Sequence, residues 1–414
     1  MLGPGKPLSL PGPLVSSPDD GERTSPTVWL GRSPEVIPSS RTGAASLRRV
    51  LLAVLLAAAA VAWAVLPARV AIESPSFGKP EILTPGAEFP LAARAGLPWA
   101  APFESAVLVG ASGRIPLTAL GPAGRAMRRT SRFRIPADCP PGNYDLVASA
   151  GGRESRAQRA VSVVAAIPER FTVAQITDLH FGYTPEGDAS VERIVDEINR
   201  ARPDLVVVTG DIAHNGRWDQ YDRAQRVLEK LTMPFVCIPG NHDRRGWGAY
   251  LTRFGAPYGP VAFGRWTILG LDCGHGRDEF TESQFLFIRN AMDTLEPARV
   301  IVLAHIPLAG KRSVRAHATQ VMQLFERAHV PLVLSGHWHY RADYSPGEPA
   351  AATGGTQFVV TVTAGGWLVK GPSGHPDPRG FTLITVDGGR IVSVEPRTVA
   401  GATAPAPGDE GNGS

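Results

Sequence analysis

Five short, continuous apolar runs constrain this chain more than any other feature: Phe171–Ile176, Leu205–Thr209, Pro234–Ile238, Arg299–Ala304 and Leu332–Ser335. None alternates polar with apolar residues, so strands built from them must be covered on both faces. Helical patterns lie between or beside them at Ala189–Arg202, Trp218–Lys230, Thr281–Leu295 and Ala316–Ala328. In the first of these, Val191, Ile194, Val195 and Ile198 fall at helical spacing. Strands alternating with helices predict an α/β domain of helix-covered sheets. Antiparallel strands at Phe358–Thr363, Phe381–Val386 and Ile391–Val394 are expected to close it.

Each apolar run ends in a polar cluster, and the clusters share one chemistry. The first leads into Asp178-Leu179-His180, the second into Gly210-Asp211, the third into Gly240-Asn241-His242-Asp243. The fourth leads into His305 and the fifth into Gly336-His337-Trp338-His339. Side chains that follow the carboxyl ends of strands converge in one crevice of an α/β sheet. The converging donors are two carboxylates (Asp178, Asp211), one amide oxygen (Asn241) and four imidazoles (His180, His305, His337, His339). Seven donors exceed what one tetrahedral ion needs. With one carboxylate shared they suit two adjacent divalent or trivalent ions, and mixed imidazole/carboxylate ligation suits Mn, Fe, Zn, Co or Ni.

The ordered set Asp178-x-His180, Gly210-Asp211, Gly240-Asn241-His242-Asp243, His305 and Gly336-His337-x-His339 resembles the calcineurin-like metallophosphoesterases, over roughly Phe171 to Gly366. The resemblance implies an αββα four-layer sandwich and a dinuclear centre that hydrolyses a phosphodiester or phosphomonoester. By motif, Asp178, His180, Asp211 and His339 would hold one metal. Asp211, Asn241, His305 and His337 would hold the other, with Asp211 bridging and a metal-bridging hydroxide as nucleophile. The family's Asn-His pair, Asn241-His242, makes His242 the general acid that protonates the leaving alkoxide, since imidazole titrates near working pH. Asp243 would orient His242 or a ligand, or cap a turn.

Departures narrow the subclass. Gly210-Asp-Ile-Ala-His-Asn-Gly216 and Asn241-His-Asp243 differ from the Gly-Asp-x-x-Asp-Arg-Gly and Asn-His-Glu of protein Ser/Thr phosphatases. His214 stands where purple acid phosphatases carry their iron-binding Tyr. The pattern looks most like the branch with cyclic-nucleotide and other small phosphodiesterases. His214 and His275, in loops beside the motifs, are candidates to touch a substrate phosphate, or are exposed loop residues. Two other functions compete. A binding protein on a degenerate scaffold is disfavoured because every ligand position and the acid position are filled. A metal-dependent nuclease is disfavoured because the net charge of +4, from 42 basic and 38 acidic residues, shows no basic or aromatic clustering. A small phosphoester, not nucleic acid, is the expected partner.

The rest of the 414 residues divides by composition. Residues 1–49, rich in Ser, Pro and Gly, read as a disordered cytoplasmic tail, and 399–414 as a disordered tail. Residues 50–68 are uncharged and, as a helix, would span about 28 Å, near the thickness of a bilayer's hydrocarbon core. Arg41, Arg48 and Arg49 precede this stretch, which places the N-terminus in the cytoplasm and the remainder outside. Ala62-Trp63-Ala64 also fits a signal-peptidase site, so a membrane anchor and an export signal cleaved near Ala64 both stand. Residues 70–166 carry short runs between Pro/Gly turns and read as a small antiparallel β-sandwich. Pro140-Pro141-Gly142-Asn143-Tyr144 resembles the turn-into-strand of immunoglobulin-like modules. The catalytic domain is expected over 170–398, with Tyr344–Thr356 as a flap or a surface insertion. Cys139, Cys237 and Cys273 are too few and too scattered for a disulfide framework or a thiolate metal site.

Overall fold

The computed structural model describes residues 52–54, 70–95, 103–123, 128–274, 279–308, 310, 312–344 and 355–402. It divides after Pro67, and apart from Leu52, Ala53 and Val54 every described residue belongs to the unit Ala68–Ser414. The expected N-terminal tail, nearly all of the anchor or export stretch at 50–68, and residues 345–354 of the expected flap therefore lie outside the described residues. No helix among the described residues is long and apolar enough to cross a membrane.

The first part of the unit is all strand: β1 (Val70–Ser74), β2 (Glu81–Leu83), β3 (Glu88–Ala95), β4 (Ser105–Gly110), β5 (Gly113–Pro116), β6 (Thr118–Ala123), β7 (Arg128–Arg134), β8 (Gly142–Ala150) and β9 (Arg153–Val163). They assemble into two sheets, ordered β1-β3-β7-β6 and β2-β9-β8-β4-β5. Alternate residues of each sheet point inward, so Phe89, Leu91 and Ala93 meet Leu108, Leu146 and Ala148 in one shared core. This is a β-sandwich, but not a wholly antiparallel one: β2 runs parallel to β9. The reason is the path of the chain. Between β1 and β2 it leaves the sandwich to pack Phe77 into the next core, and β2 then pairs with β9, with six strands between them in the chain, so no hairpin imposes an antiparallel register on the pair.

The remaining strands are β10 (Phe171–Ile176), β11 (Leu205–Thr209), β12 (Phe235–Ile238), β13 (Gly259–Phe263), β14 (Trp266–Gly270), β15 (Val300–Leu303), β16 (Leu332–Ser335), β17 (Ala342–Tyr344), β18 (Gln357–Val360), β19 (Gly380–Asp387) and β20 (Arg390–Thr398). They form two sheets, β12-β11-β10-β19-β20 and β13-β14-β15-β16-β18-β17. The continuous apolar runs are explained by period-2 geometry with both faces buried. Val173, Leu205, Val207, Ile301, Leu303, Leu332 and Leu334 fill the space between the sheets. Ala174, Ile176, Val206 and Val208 face outward onto the helices Pro185–Ala201, Trp218–Leu228 and Trp247–Phe254. Val300, Val302 and Val333 face the helices Glu282–Thr294 and Ala318–Arg327. The layers thus run helix, sheet, sheet, helix.

Three expectations change, the first being that Val399 and Ala402, expected in a disordered tail, are buried in the α/β core. The run at Phe358–Thr363 is not simply antiparallel: β18 pairs in parallel with β16 and antiparallel only with β17. The helix expected from Ala189 begins at Pro185, where Thr184 accepts a hydrogen bond from the Gly187 amide at 3.0 Å and Pro185 supplies the fixed φ of a first turn.

The sandwich is continuous with this core. Phe77, 3 % exposed, packs edge-on to Phe235 and Phe254. Lys79 Nζ donates to the Cys237 carbonyl at 3.0 Å, and burial lowers its pKa to about 8. Arg159 of β9 is buried and donates to three carbonyls of the α/β layer: Leu228 (3.2 Å), Glu229 (2.7 Å) and Met233 (2.9 Å). Charged donors make the stronger hydrogen bonds, and removing one strands buried acceptors. Arg159→Met should cost about 3 kcal/mol, given roughly 1.5–3 kcal/mol per charge-assisted bond without additivity. A lower urea midpoint for the full chain at unchanged slope checks this; an unchanged midpoint would show that the sandwich docks without it.

Candidate metal centre

The sheets deliver seven donors to one place because the strands that carry them run in parallel and end together. Asp178 and His180 follow β10, Asp211 follows β11, Asn241 follows β12, His305 follows β15, and His337 and His339 follow β16. Five of these donors lie in the left-handed backbone region: Asp178 (φ 51°), His180 (46°), Asp211 (51°), His337 (70°) and His339 (64°). Such a conformation costs a non-glycine residue on the order of 1 kcal/mol or more, and it persists only when its surroundings enforce it. Here they do. The Asp178 amide donates to the Gly210 carbonyl, the His180 amide to the Asp211 carbonyl, and the Gly336 amide to the His305 carbonyl, at 2.9–3.0 Å.

The side chains fall into two groups joined by one oxygen. Asp178, His180 and His339 converge in the first, with His339 Nε2 3.2 Å from Asp178 Oδ1 and 3.2 Å from His180 Nε2. Asp211, His305 and His337 converge in the second, where His305 Nε2 lies 3.1 Å from Asn241 Oδ1. Asp211 Oδ2 sits between the groups, 3.5 Å from His180 Nε2 and 3.3 Å from His305 Nε2. Its other oxygen accepts the His242 amide at 2.8 Å.

The proton positions on the rings decide what this arrangement can hold. His305 Nδ1 faces the Thr209 carbonyl at 2.8 Å, and His339 Nδ1 faces the Trp367 carbonyl at 2.7 Å. A carbonyl oxygen only accepts, so each Nδ1 carries a proton, and each ring in its neutral form turns a bare Nε2 inward. Those lone pairs meet carboxylate lone pairs, and the buried Asp178 Oδ1 has no hydrogen-bond partner at all. Lone pair against lone pair at 3 Å repels unless a ring proton or a metal cation lies between, and oxygen and imidazole donors in this number fit metal ions.

Burial alone would raise the Asp178 carboxyl, but His339 and His305 outweigh it and hold the pKa well below the usual range. Asp211 behaves likewise, held down chiefly by His305 and His242 against the effect of burial. Burial disfavours a charged His305, yet the Asp211 and Asp178 carboxylates push its pKa up to about 10. Burial, then His305, lowers His337 to about 4.

His242 stands beside the first group, its ring centroid 4.6 Å from that of His180. Its Nδ1 donates to the His214 carbonyl at 2.7 Å, which leaves Nε2 to exchange a proton. His214 also joins the site: its ring nitrogen lies 3.3 Å from His180 Nδ1. His275 lies outside the described residues. The hydrogen bonds of the Asp243 carboxylate go to a turn and not to His242 or a ligand. Its buried carboxylate accepts from the Gly240, Ile212 and Ala213 amides at 2.8–3.1 Å and from the Tyr221 hydroxyl at 3.0 Å. It clamps the loop after β11 to the loop after β12, the turn-forming alternative of the two expected.

Sequence reading missed the layer behind the donors. The Gly365 and Gly366 amides both donate to the Asp178 carbonyl at 3.1 Å. Buried Arg379 donates through Nε and a terminal nitrogen to the Gly366 carbonyl, fixing the turn that presents Trp367 to His339. The Trp367 ring lies 4.3 Å from the His339 ring and 4.9 Å from that of His180. The Gly-Gly pair after an apolar run was the one signal available, since glycine doublets there parallel Gly210, Gly240 and Gly336. A Cβ on Gly366 would stand 2.6 Å from His180 Cδ2 and 2.7 Å from His339 Cε1. Gly366→Ala should therefore lower retained metal roughly tenfold, in line with disturbed outer contacts, with an unchanged circular dichroism spectrum. Metal analysis after dialysis checks it, and full retention would contradict the packing argument.

Residues 171–341 match the family model described as calcineurin-like phosphoesterase. A glycerophosphodiester phosphodiesterase of Enterobacter lignolyticus is 40 % identical over 81 residues, 17 % of this chain and 29 % of that protein. Matches of that kind are local, and the chain spans less than a third of that relative's length. A cAMP/cGMP dual specificity phosphodiesterase of Mycobacterium tuberculosis is 28 % identical over 244 residues, covering 50 % of this chain and 74 % of that one. Among solved structures, a purple acid phosphatase from yellow lupin seeds aligns over 82 % of this chain and 76 % of its own, with 15 % identity and a TM-score of 0.49. Residues 171–341, with their converging Asp, Asn and His donors, are a calcineurin-like phosphoesterase domain.

Proposed function

We propose that the chain hydrolyses a small phosphodiester, of the cyclic-nucleotide kind, at a centre of two metal ions. The observation that carries this reading is Asp211 Oδ2, set within 3.5 Å of a ring nitrogen from each donor group. Asp178, His180, Asp211 and His339 would hold one ion, and Asp211, Asn241, His305 and His337 the other, drawn from Mn, Fe, Zn, Co or Ni. Two such cations supply positive charge against the phosphoryl oxygens and a water acidic enough to attack at neutral pH. The protein's own part is order and proton delivery. The loop amides fix the Asp178 and Asp211 oxygens, and the carbonyls of Thr209 and Trp367 fix two imidazoles in the ligating tautomer. His242 gives the proton on Nε2 to the leaving alkoxide, its ring oriented by the His214 carbonyl.

The diester reading is supported by relatives whose length the chain covers well: those at 71 % and 74 % carry names as cyclic-nucleotide phosphodiesterases. Tyr183 and Trp367, whose rings lie 5.6 Å apart beside His214 and His242, offer aromatic faces to a heterocyclic group. Purified chain with added metal should cleave bis(p-nitrophenyl) phosphate and a 3′,5′-cyclic nucleotide. Asp211→Asn should abolish both activities and lower bound metal. His242→Ala should leave metal content intact and cut turnover of the cyclic nucleotide by about 10²–10⁴. Its effect on the nitrophenyl ester should be smaller, because nitrophenolate leaves without a proton. Equal losses on both substrates, or metal loss from the His242 variant, would remove His242 as the acid.

The sandwich reads as an immunoglobulin-like module: the Tyr144 hydroxyl donates to the Pro140 carbonyl at 2.7 Å, in the manner of a tyrosine corner. The uncharged stretch 50–68 supports membrane anchoring with the catalytic domain outside the cytoplasm. Full-length chain should stay in the membrane pellet through an alkaline wash; release with a new N-terminus after Ala64 would favour a cleaved signal instead.

A further inference from the structure

Three of the ligand imidazoles have a defined partner on the nitrogen that faces away from the donor cluster, and one of the three partners differs in kind. His305 and His339 give Nδ1–H to backbone carbonyls. His180 Nδ1 instead faces His214 Nδ1, another imidazole, at 3.3 Å. His180 is fully buried and turns Nε2 toward Asp211 Oδ2 and His339 Nε2, so as a neutral ligand it must carry its proton on Nδ1. The acceptor for that proton is then the bare Nδ1 of His214, whose own proton sits on Nε2.

The position of His214 is enforced. Its amide donates to the Phe181 carbonyl at 3.1 Å, while the Phe181 amide donates to the Ile212 carbonyl at 3.0 Å, so the loops after β10 and β11 are laced together on either side of the two rings. Tyr183 packs against the His214 ring with centroids 4.9 Å apart. The same residue accepts the His242 Nδ1 proton on its carbonyl.

From this geometry we infer that His214 is a positioning residue for His180, an imidazole acceptor that fixes the tautomer and orientation of one metal ligand. The inference rests on the reading of His180 as a ligand. It places the His214 ring behind the metal group instead of against the substrate phosphate, and it separates two functions of one residue. The ring serves His180, and the backbone carbonyl, which substitution leaves in place, serves His242.

The test compares variants of nearly equal size at position 214. Asn puts an amide oxygen close to where histidine carries Nδ1, whereas Leu puts a methyl group there. Metal-free full-length chain is titrated with Mn(II) or Zn(II) against a chromophoric chelator, for wild type and for His180→Ala, His214→Asn, His214→Leu and His214→Ala. His214→Leu and His214→Ala should weaken one of the two metal-binding steps about 10–100-fold, the usual effect of losing a ligand's outer partner. The other step should be unchanged, and His214→Asn should bind close to wild type. If wild type binds no metal, or His180→Ala binds like wild type, the metal reading itself fails. If wild type binds and His180→Ala does not, but Asn, Leu and Ala at 214 behave alike, the inference about His214 is overturned. Should the Leu variant misfold, the contrast of Asn with Ala decides in the same way.

Discussion

Electron pairs crowded against electron pairs are the constraint on which the rest of this structure depends. His339 Nε2 and Asp178 Oδ1 stand 3.2 Å apart, and His305 Nε2 and Asp211 Oδ2 stand 3.3 Å apart. With Nδ1 held by the Thr209 and Trp367 carbonyls, the neutral rings turn bare Nε2 atoms toward those oxygens. Without a metal cation this arrangement costs energy, and against the effect of burial the carboxylates hold the His305 pKa up while the histidines hold the pKa of both carboxyls down. Folding holds the donors together; a cation makes their proximity favourable.

The surrounding architecture serves that confinement. Five donors in left-handed backbone would relax if their loops were free. They are held by loop-to-loop hydrogen bonds, by the Asp243 clamp with Tyr221, and by the Gly365–Gly366 turn that Arg379 fastens from behind. The two-sheet core gives the strands a common, rigid end. The sandwich adds to it through Phe77, Lys79 and Arg159, so it is part of the same folded unit and not a tethered spacer.

Much of this was legible in the sequence, for a physical reason. A strand buried on both faces must be continuously apolar, so β10, β11, β12, β15 and β16 announce themselves, and ligands at their ends must be polar residues of a few types. That Asp178, His180, Asp211, Asn241, His305, His337 and His339 come together at strand ends was readable in this way, as was the helix-covered sheet. What was not legible acts through backbone or through distance. Gly366 matters for the space it leaves, Arg379 for a carbonyl that it holds, and Asp243 for three amides on another loop. β13, β14 and the helix Trp247–Phe254 went unread because they are short and mixed in polarity. The parallel placement of β2 and β18 depends on the path of the chain, which no local pattern records.

The central claim is that the paired donor groups exist to hold two cations sharing Asp211. Anomalous scattering from crystals of the full-length chain grown with Mn or Zn, measured on both sides of the metal's absorption edge, tests it most directly. Two peaks are expected, one among Asp178 Oδ1, His180 Nε2, His339 Nε2 and Asp211 Oδ2, and one among Asp211 Oδ2, Asn241 Oδ1, His305 Nε2 and His337. A crystal with metal bound elsewhere and no peak between these atoms would contradict it.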